Sequence, residues 1–250
     1  MDGLPFDTAT WAACAAIVAA AYVIFGITAF GAAMFTVPAL SCFFPLSFVL
    51  PLCVILDVSA AFALGSRFSR NADTGELKWM APFSLAGAVA GLTALVTIPQ
   101  HATLAAFGVF LCAYGLYSLR TGVPRGAAAR HPWAQISGFC GGAAGTLFGV
   151  GAPPYAMYLS RRLPDTAVLR ATLSNMVLLS TSIRALVFLI GGLMLWDRVL
   201  GALLLMPFAL GGIWAGHRIQ LGVSRETLLR VISVLLLLIG ASLILRGLRA

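Results

Sequence analysis

The sequence is poor in charged residues. Only 10% of its 250 residues are Asp, Glu, Lys or Arg, whereas soluble domains contain about 25%. Residues 80–119 contain none of them, and residues 6–68 contain only Asp7, Asp57 and Arg67. A water-soluble surface cannot be built from such segments, so the composition predicts a protein whose solvent is the lipid bilayer. The net charge of +8 comes mainly from basic residues in short connections, and we therefore do not expect nucleic acid as a partner.

The patterns of common metal and catalytic sites are also absent. The five cysteines are not spaced in pairs, and the two glutamates, Glu76 and Glu226, have no histidine beside them. A paired-cysteine zinc site and a His-Glu-x-x-His metalloprotease are thus excluded, and no Gly-x4-Gly-Lys loop is present to hold nucleotide phosphates. We expect no cofactor, no metal and no enzyme activity. An intramembrane enzyme and a non-transporting membrane subunit are the alternatives.

Long apolar runs predict transmembrane helices, because a hydrocarbon core about 30 Å thick needs about 20 helical residues. Six such runs occupy residues 49–66, 81–98, 102–119, 168–190, 199–216 and 228–245. Two more apolar stretches, 9–40 and 133–160, are broken by glycine and proline. The runs lack the period-2 alternation of a barrel. We predict an all-α, polytopic transmembrane bundle with about eight spanning helices, two of its segments being broken or re-entrant.

A pattern of proline, phenylalanine and glycine recurs along the chain. Pro-Phe-x3-Gly-x3-Gly begins at Pro82 and again at Pro207, 125 residues later. In each copy the two glycines are spaced to lie on one helix face, where they allow another helix to approach closely. We therefore predict two transmembrane repeats, residues 1–119 and 133–250, joined by a basic cytoplasmic connection at 120–132.

The distribution of basic residues indicates how the broken segments run, because cytoplasmic connections are enriched in Lys and Arg. If each broken segment is a hairpin, the connections near 67–80, 120–130, 161–170 and 218–230 share one face and contain twelve basic residues, against three opposite. If each broken segment crosses the membrane once, the better orientation leaves nine basic residues inside and six outside. Hairpins are therefore favoured. They place the N-terminus outside and make the second half an inverted image of the first, an arrangement typical of secondary transporters.

One basic residue lies deep inside a predicted span. Arg184 is embedded in an apolar run, where a charge is costly unless it contacts substrate or pairs with an acid. Asp57 is the candidate partner within the membrane, as a structural ion pair or as the residue that holds a coupling proton. Thr172 and Asn175 precede Arg184 on related helix faces.

The two breaks supply the remaining candidate ligands. Backbone groups without helical partners survive at membrane depth only where they line a cavity or face protein. An unwound tip, followed by the N-terminus of a half-helix, favours an anion. The predicted substrate-binding residues are Gly31, Gly149, Gly151, Thr172, Asn175 and Arg184, with Asp57 as the residue for coupling or for an ion pair.

The glycine-rich breaks also resemble those of a known family. Residues 26–38 and 138–154, together with the Gly87-x3-Gly91 spacing and Gly216, resemble the sulfite exporter TauE/SafE family of membrane transporters over nearly the whole chain. The resemblance implies a transporter of small sulfur-containing anions, such as sulfite or organosulfonates, in a cell membrane.

Composition, topology and resemblance predict one function. We expect a multi-pass secondary transporter of the cell (inner) membrane that moves a small anion by alternating access at a mid-membrane site. Its expected partners are the lipid bilayer and the anion, and the sequence specifies no oligomeric state.

Overall fold

The computed structural model describes residues 8–28, 32–63, 71–120, 131–219 and 225–249. Within these ranges the chain is helical apart from short turns, and no strand occurs. The helices are α1 (Thr8–Thr28), α2 (Ala32–Leu40), α3 (Leu46–Ala63), α4 (Thr74–Thr97), α5 (Gln100–Arg120), α6 (His131–Phe148), α7 (Ala152–Arg162), α8 (Thr166–Ile190), α9 (Trp196–Ile219) and α10 (Arg225–Arg249). The predicted all-α membrane bundle is confirmed.

The helices follow the apolar runs of the sequence. Among the described residues, α1, α4, α8 and α9 are long and apolar enough to cross a membrane, and α3 and α10 contain shorter apolar segments. The six predicted spans fall on α3, α4, α5, α8, α9 and α10, and the two broken stretches fall on α1 with α2 and α6 with α7. α4 begins earlier than predicted because the Asp73 carboxylate caps it, accepting hydrogen bonds from the N–H groups of Gly75 and Glu76 at 2.9 and 3.2 Å.

The second broken stretch is a hairpin. The chain turns at Gly149, whose φ of +78° favours glycine. α7 then runs back along α6, since a Cβ added to Gly151 would lie 2.6 Å from the carbonyl oxygen of Gly141. Further along, the Ser137 hydroxyl donates to the carbonyl oxygen of Pro154 at 2.8 Å. The start of α6 and the end of α7 therefore lie at the same end of the bundle.

The first broken stretch also folds back. The turn after α2 brings the Phe44 ring to 5.7 Å from the ring of Trp11, near the start of α1. α1 and α2 thus enter and leave at one end. Gly31, at the predicted tip of this hairpin, lies outside the described residues.

The second hairpin reaches the first inside the bundle. A Cβ added to Gly149 would lie 3.0 Å from Cγ2 of Val37 and 3.2 Å from Cβ of Ala33, both in α2. The tip of the second hairpin is therefore packed against protein, as irregular backbone at membrane depth requires.

Contacts between helix ends show that the two hairpins enter from opposite ends. Where α4, α6 and α8 begin, the Thr172 hydroxyl accepts a hydrogen bond from the Asp73 N–H at 2.9 Å, and Arg162 pairs with Glu76 at 2.8 Å. We call this the basic end, since it also holds the exposed basic residues Lys78, Arg161 and Arg170. At the other end, here the distal end, the turn between α2 and α3 accepts a hydrogen bond from α10. Four further basic residues predicted for the basic end lie outside the described residues: Arg67, Arg70, Arg125 and Arg130.

The helices group into two bundles, each of which draws on both halves of the chain. Contacts link α1, α2, α3 and α9 into what we call the first bundle, and α4, α6, α7 and α8 into the second bundle. α1 packs on α9 as α6 packs on α4, while α5 and α10 pack on each other. The two bundles meet mainly where α3 contacts α8.

Glycine allows the paired helices to approach closely. A Cβ added to Gly212 or Gly216 of α9 would lie 2.5 or 2.2 Å from carbonyl oxygens of α1. A Cβ added to Gly87 or Gly91 of α4 would lie 2.1 or 2.8 Å from carbonyl oxygens of α6. The close packing predicted from the recurring glycines is thus confirmed. The matched contacts of the two bundles support the prediction of inverted repeats, whose boundaries around 120–132 stay a prediction.

The variant Gly142→Ala tests this close packing. Its Cβ would lie 2.0 Å from the carbonyl oxygen of Ser84, so α4 and α6 must move apart. We expect the melting temperature in detergent to fall, corresponding to a loss of about 1–3 kcal/mol. Gly211→Ala is the matched control, because nothing lies within 4 Å of its added Cβ, and it should melt no lower than the unmodified protein. Equal melting temperatures for the two variants would contradict the packing.

Labelling of single cysteines tests the hairpin. In a background without the five native cysteines, Pro132→Cys and Arg161→Cys should react with a membrane-impermeant maleimide from the same side. Gln100→Cys, an exposed position at the distal end, should react from the other side. A permeant maleimide is the control for reactivity at all three positions. Labelling of positions 132 and 161 from opposite sides would show that this segment crosses the membrane.

Candidate functional site

Arg184 is a buried cation inside the bundle. Its side chain is only 6% exposed. The guanidinium Nη2 donates to Oδ2 of Asp57 at 2.8 Å, and Nη1 donates to the carbonyl oxygen of Gly145 at 2.9 Å. Long helical side chains lean toward the N-terminus of their helix, so the guanidinium lies deeper than the Arg184 Cα, which is about 9 Å before the end of α8. The sequence placed Arg184 and Asp57 together as candidates, and they are in contact.

Asp57 connects the two bundles through this ion pair. Its second oxygen, Oδ1, accepts a hydrogen bond from the Tyr22 hydroxyl at 2.9 Å. Tyr22 lies in α1 and Asp57 in α3, both of the first bundle, whereas Arg184 and Gly145 belong to the second bundle. Tyr22 was not predicted, because a tyrosine within an apolar helix forms no recognisable pattern with an aspartate two helices away.

One donor of the guanidinium has no partner among the described residues. Arg184 Nε is buried and makes no hydrogen bond with them. In a guanidinium, Nε–H and one Nη–H₂ point the same way and form a fork that matches two oxygens of a carboxylate, sulfonate or phosphate. Asp57 contacts Nη2, which has two N–H groups, and the Nε half of the fork has no partner among the described residues. An oxyanion bound to both halves of the fork would share Nη2 with the Asp57 carboxylate.

The carbonyl oxygen of Gly145, near the tip of the second hairpin, accepts a hydrogen bond from Arg184. Besides the Arg184 hydrogen bond, the Gly145 oxygen accepts one from the N–H of Gly149 at 2.9 Å. The N–H of Val150 likewise donates to Ala144, at 3.3 Å. These two amides are therefore already bonded within the tip, contrary to the expectation that an unwound tip leaves its amides free for an anion.

Gly149 and Gly151 contribute to the shape of this tip. Gly149 provides the positive φ of the turn, and Gly151 lets α7 begin in close contact with Gly141. The first turn of α7 contains Pro153 and Pro154, which have no N–H to donate. The N-terminus of α7 therefore has fewer free donors than an ordinary helix N-terminus.

Thr172 and Asn175 lie in α8 between the basic end and Arg184. The Thr172 hydroxyl donates to the carbonyl oxygen of Val168 at 2.8 Å and accepts from the N–H of Asp73, so it holds the turn before α4. Along α8, the Cα atom of Arg184 is about 18 Å from that of Thr172 and about 14 Å from that of Asn175. Both are buried. Helical spacing gave a related face and the separation along the helix for these residues, but it did not show that Thr172 bonds the turn before α4.

Three buried hydroxyl groups lie beside the ion pair. The Tyr155 hydroxyl is 2.8 Å from Oγ of Ser84 and 2.9 Å from Oγ of Ser180. Ser180 is one turn before Arg184, and its Oγ would be 3.8 Å from a Cβ on Gly145. Hydrogen bonds thus link α4, α7 and α8 next to the guanidinium. These residues were not predicted, because they come from three distant segments with no common spacing.

A second ionic cluster holds the basic end of the second bundle. Glu76 is only 4% exposed, and its Oε1 accepts from Nε of Arg162 at 2.8 Å. Its Oε2 accepts from the Tyr158 hydroxyl at 2.6 Å. The cluster fastens α4 to the end of α7. The sequence contains only two glutamates, and this rarity was the feature that could have pointed to Glu76.

Comparison with known proteins shows the family to which this chain belongs. The model of the family described as sulfite exporter TauE/SafE matches residues 14–243. A relative from Comamonas testosteroni, described as probable inner membrane transporter protein TsaS, is 28% identical over 199 residues, which are 77% of this chain and 81% of the relative. No solved structure matches the chain. Because the family model covers more than half of the chain, this protein belongs to the sulfite exporter TauE/SafE family of membrane transporters.

Proposed function

We propose that this transporter carries a small sulfur-containing oxyanion or organosulfonate and binds it at Arg184. The proposal rests on one observation above all: a buried guanidinium whose oxyanion fork is half unoccupied. The name of the family, which refers to sulfite export, supports a sulfur oxyanion as the substrate.

The chemistry of the site favours an anion. A cation inside the membrane attracts negative charge strongly, because little water screens it. Sulfite and sulfonates present several oxygens on one sulfur atom, so two of them match the Nε and Nη2 donors of Arg184. A cationic substrate would be repelled by the same guanidinium.

The position of the ion pair supports alternating access. Arg184 and Gly145 belong to the second bundle, whereas Asp57 and Tyr22 belong to the first. Because the hairpins enter from opposite ends, rocking of one bundle against the other would open the site to one end at a time. The Glu76 cluster lies within the second bundle and would keep that bundle rigid during the motion.

The basic end is proposed to face the cytoplasm. Short cytoplasmic connections are enriched in Lys and Arg, and Lys78, Arg161 and Arg170 lie at this end. The relative is described as a probable inner membrane transporter, which supports the same membrane for this protein.

Loss of the guanidinium should abolish anion binding. Arg184→Gln alone would leave Asp57 buried without its partner, so the test uses the double variant Arg184→Gln/Asp57→Asn, which removes both charges. Thermal stabilisation is measured for the purified protein with sulfite, methanesulfonate, benzenesulfonate and acetate. We expect the double variant to fold and to lose at least about 100-fold in affinity, because two charge-assisted hydrogen bonds contribute about 3 kcal/mol or more.

Arg246→Gln is the matched control for this experiment. It removes the same side chain at the distal end, where Arg246 bonds the carbonyl oxygen of Ser41. Its anion affinity should equal that of the unmodified protein. Undiminished binding by the double variant would remove Arg184 from the site, and stabilisation by acetate alone would contradict a sulfur oxyanion.

A further inference from the structure

We propose that Asp57 is a proton-binding site that couples anion movement to movement of one proton. The inference rests on the proposed anion site at Arg184. It follows from the geometry of the ion pair, because the oxygen of Asp57 that contacts Arg184 bonds Nη2, a nitrogen that the anion also needs.

Two anions compete for one guanidinium. If Asp57 stayed ionised beside a bound sulfonate, two negative charges would share one positive charge in a region of low dielectric. At a separation of about 4 Å and an effective dielectric constant of about 20, such repulsion would weaken anion binding by about a thousandfold. Protonation of Asp57 removes the repulsion and releases Nη2. The anion therefore enters together with a proton.

The proton balance of this step is simple. A proton from water on the open side binds Oδ2 of Asp57 as that oxygen leaves Nη2 of Arg184, and the anion takes its place. On the other side the anion leaves, the proton returns to water, and Asp57 pairs again with Arg184. Tyr22 bonds the other oxygen, Oδ1, and does not need to move. A monovalent anion plus one proton makes the cycle electroneutral.

Among the residues that the structure describes, few other titratable groups face Asp57. Tyr22 of α1 and Arg184 of α8 contact it directly, and the buried thiol of Cys53 lies one turn away in α3. Helix α2 contains no titratable residue. In α6, the thiol of Cys140 is exposed and faces away from the core. The described charged side chains of α4 and α9 lie toward the ends of these helices: Glu76, Lys78, Asp197, Arg198 and Arg218.

Transport in proteoliposomes separates a proton-driven from a voltage-driven mechanism. The probe is isotope-labelled methanesulfonate, whose charge is constant between about pH 5 and about pH 8, so that only the protein titrates. One set of vesicles has a pH gradient and no membrane potential. Another has a potential set with potassium and valinomycin, and no pH gradient.

The unmodified protein should accumulate methanesulfonate in response to the pH gradient alone, up to about tenfold for a gradient of one pH unit. It should not respond to the potential. Asp57→Asn keeps an oxygen that can accept from Arg184 or Tyr22, but it cannot bind the proton. This variant should lose the response to pH, and any flux that it retains should follow the potential. Asp197→Asn, the same substitution in the first turn of α9, should behave like the unmodified protein.

If Asp57→Asn does not transport methanesulfonate, the pH dependence of methanesulfonate binding tests whether Asp57 is the proton-binding site. Methanesulfonate affinity of the unmodified protein should rise as the pH is lowered from about 8 to about 6, whereas that of Asp57→Asn should stay constant.

Three outcomes would overturn the inference. The first is flux through the unmodified protein that follows the potential alone, which leaves the proposed function intact. The second is proton-driven accumulation, or pH-dependent binding, that persists in Asp57→Asn. The third is an unmodified protein that neither binds nor transports any of the anions, which contradicts the proposed function and the coupling with it.

Discussion

One buried ion pair lies at the junction of the two bundles, and the proposed function depends on it. Arg184 and Asp57 face each other at 2.8 Å across the contact of α8 with α3, and Tyr22 and Gly145 complete their hydrogen bonds from α1 and α6. Removing two charges from water costs about as much as their attraction returns, so a buried pair contributes little net stability. Its presence at the junction of two separately packed groups of helices is better explained by a function in which the pair opens.

The glycine contacts make such an opening physically reasonable. Each hairpin is packed tightly against a helix from the other half of the chain, because Gly212 and Gly216, or Gly87 and Gly91, leave no room for a Cβ. Hydrogen bonds among Ser84, Tyr155 and Ser180 add to the second bundle. Two stiff bundles joined mainly through α3 and α8 can move as bodies, so a change of charge at their junction can alter their relative position.

Much of the fold could be predicted from the sequence, because lipid imposes strong requirements on composition. Apolar runs predicted the long helices, and the distribution of basic residues predicted the hairpins that the contacts of Ser137 and Trp11 reveal. Arg184 and Asp57 were predictable as rare charges in apolar segments. Tyr22, the Gly145 carbonyl and the tip amides were not, since their roles depend on which helices meet and backbone groups leave no trace in a sequence. Thr172 was predicted from a shared helix face, but only the structure shows that its hydroxyl bonds the turn before α4.

The most direct test of the account is an experimental structure of the protein with 4-bromobenzenesulfonate, whose bromine marks the position of the anion. The sulfonate oxygens should lie within hydrogen-bond distance of Nε and Nη2 of Arg184, and Oδ2 of Asp57 should have left Nη2. A sulfonate bound elsewhere, with the ion pair of Arg184 and Asp57 still closed, would contradict it.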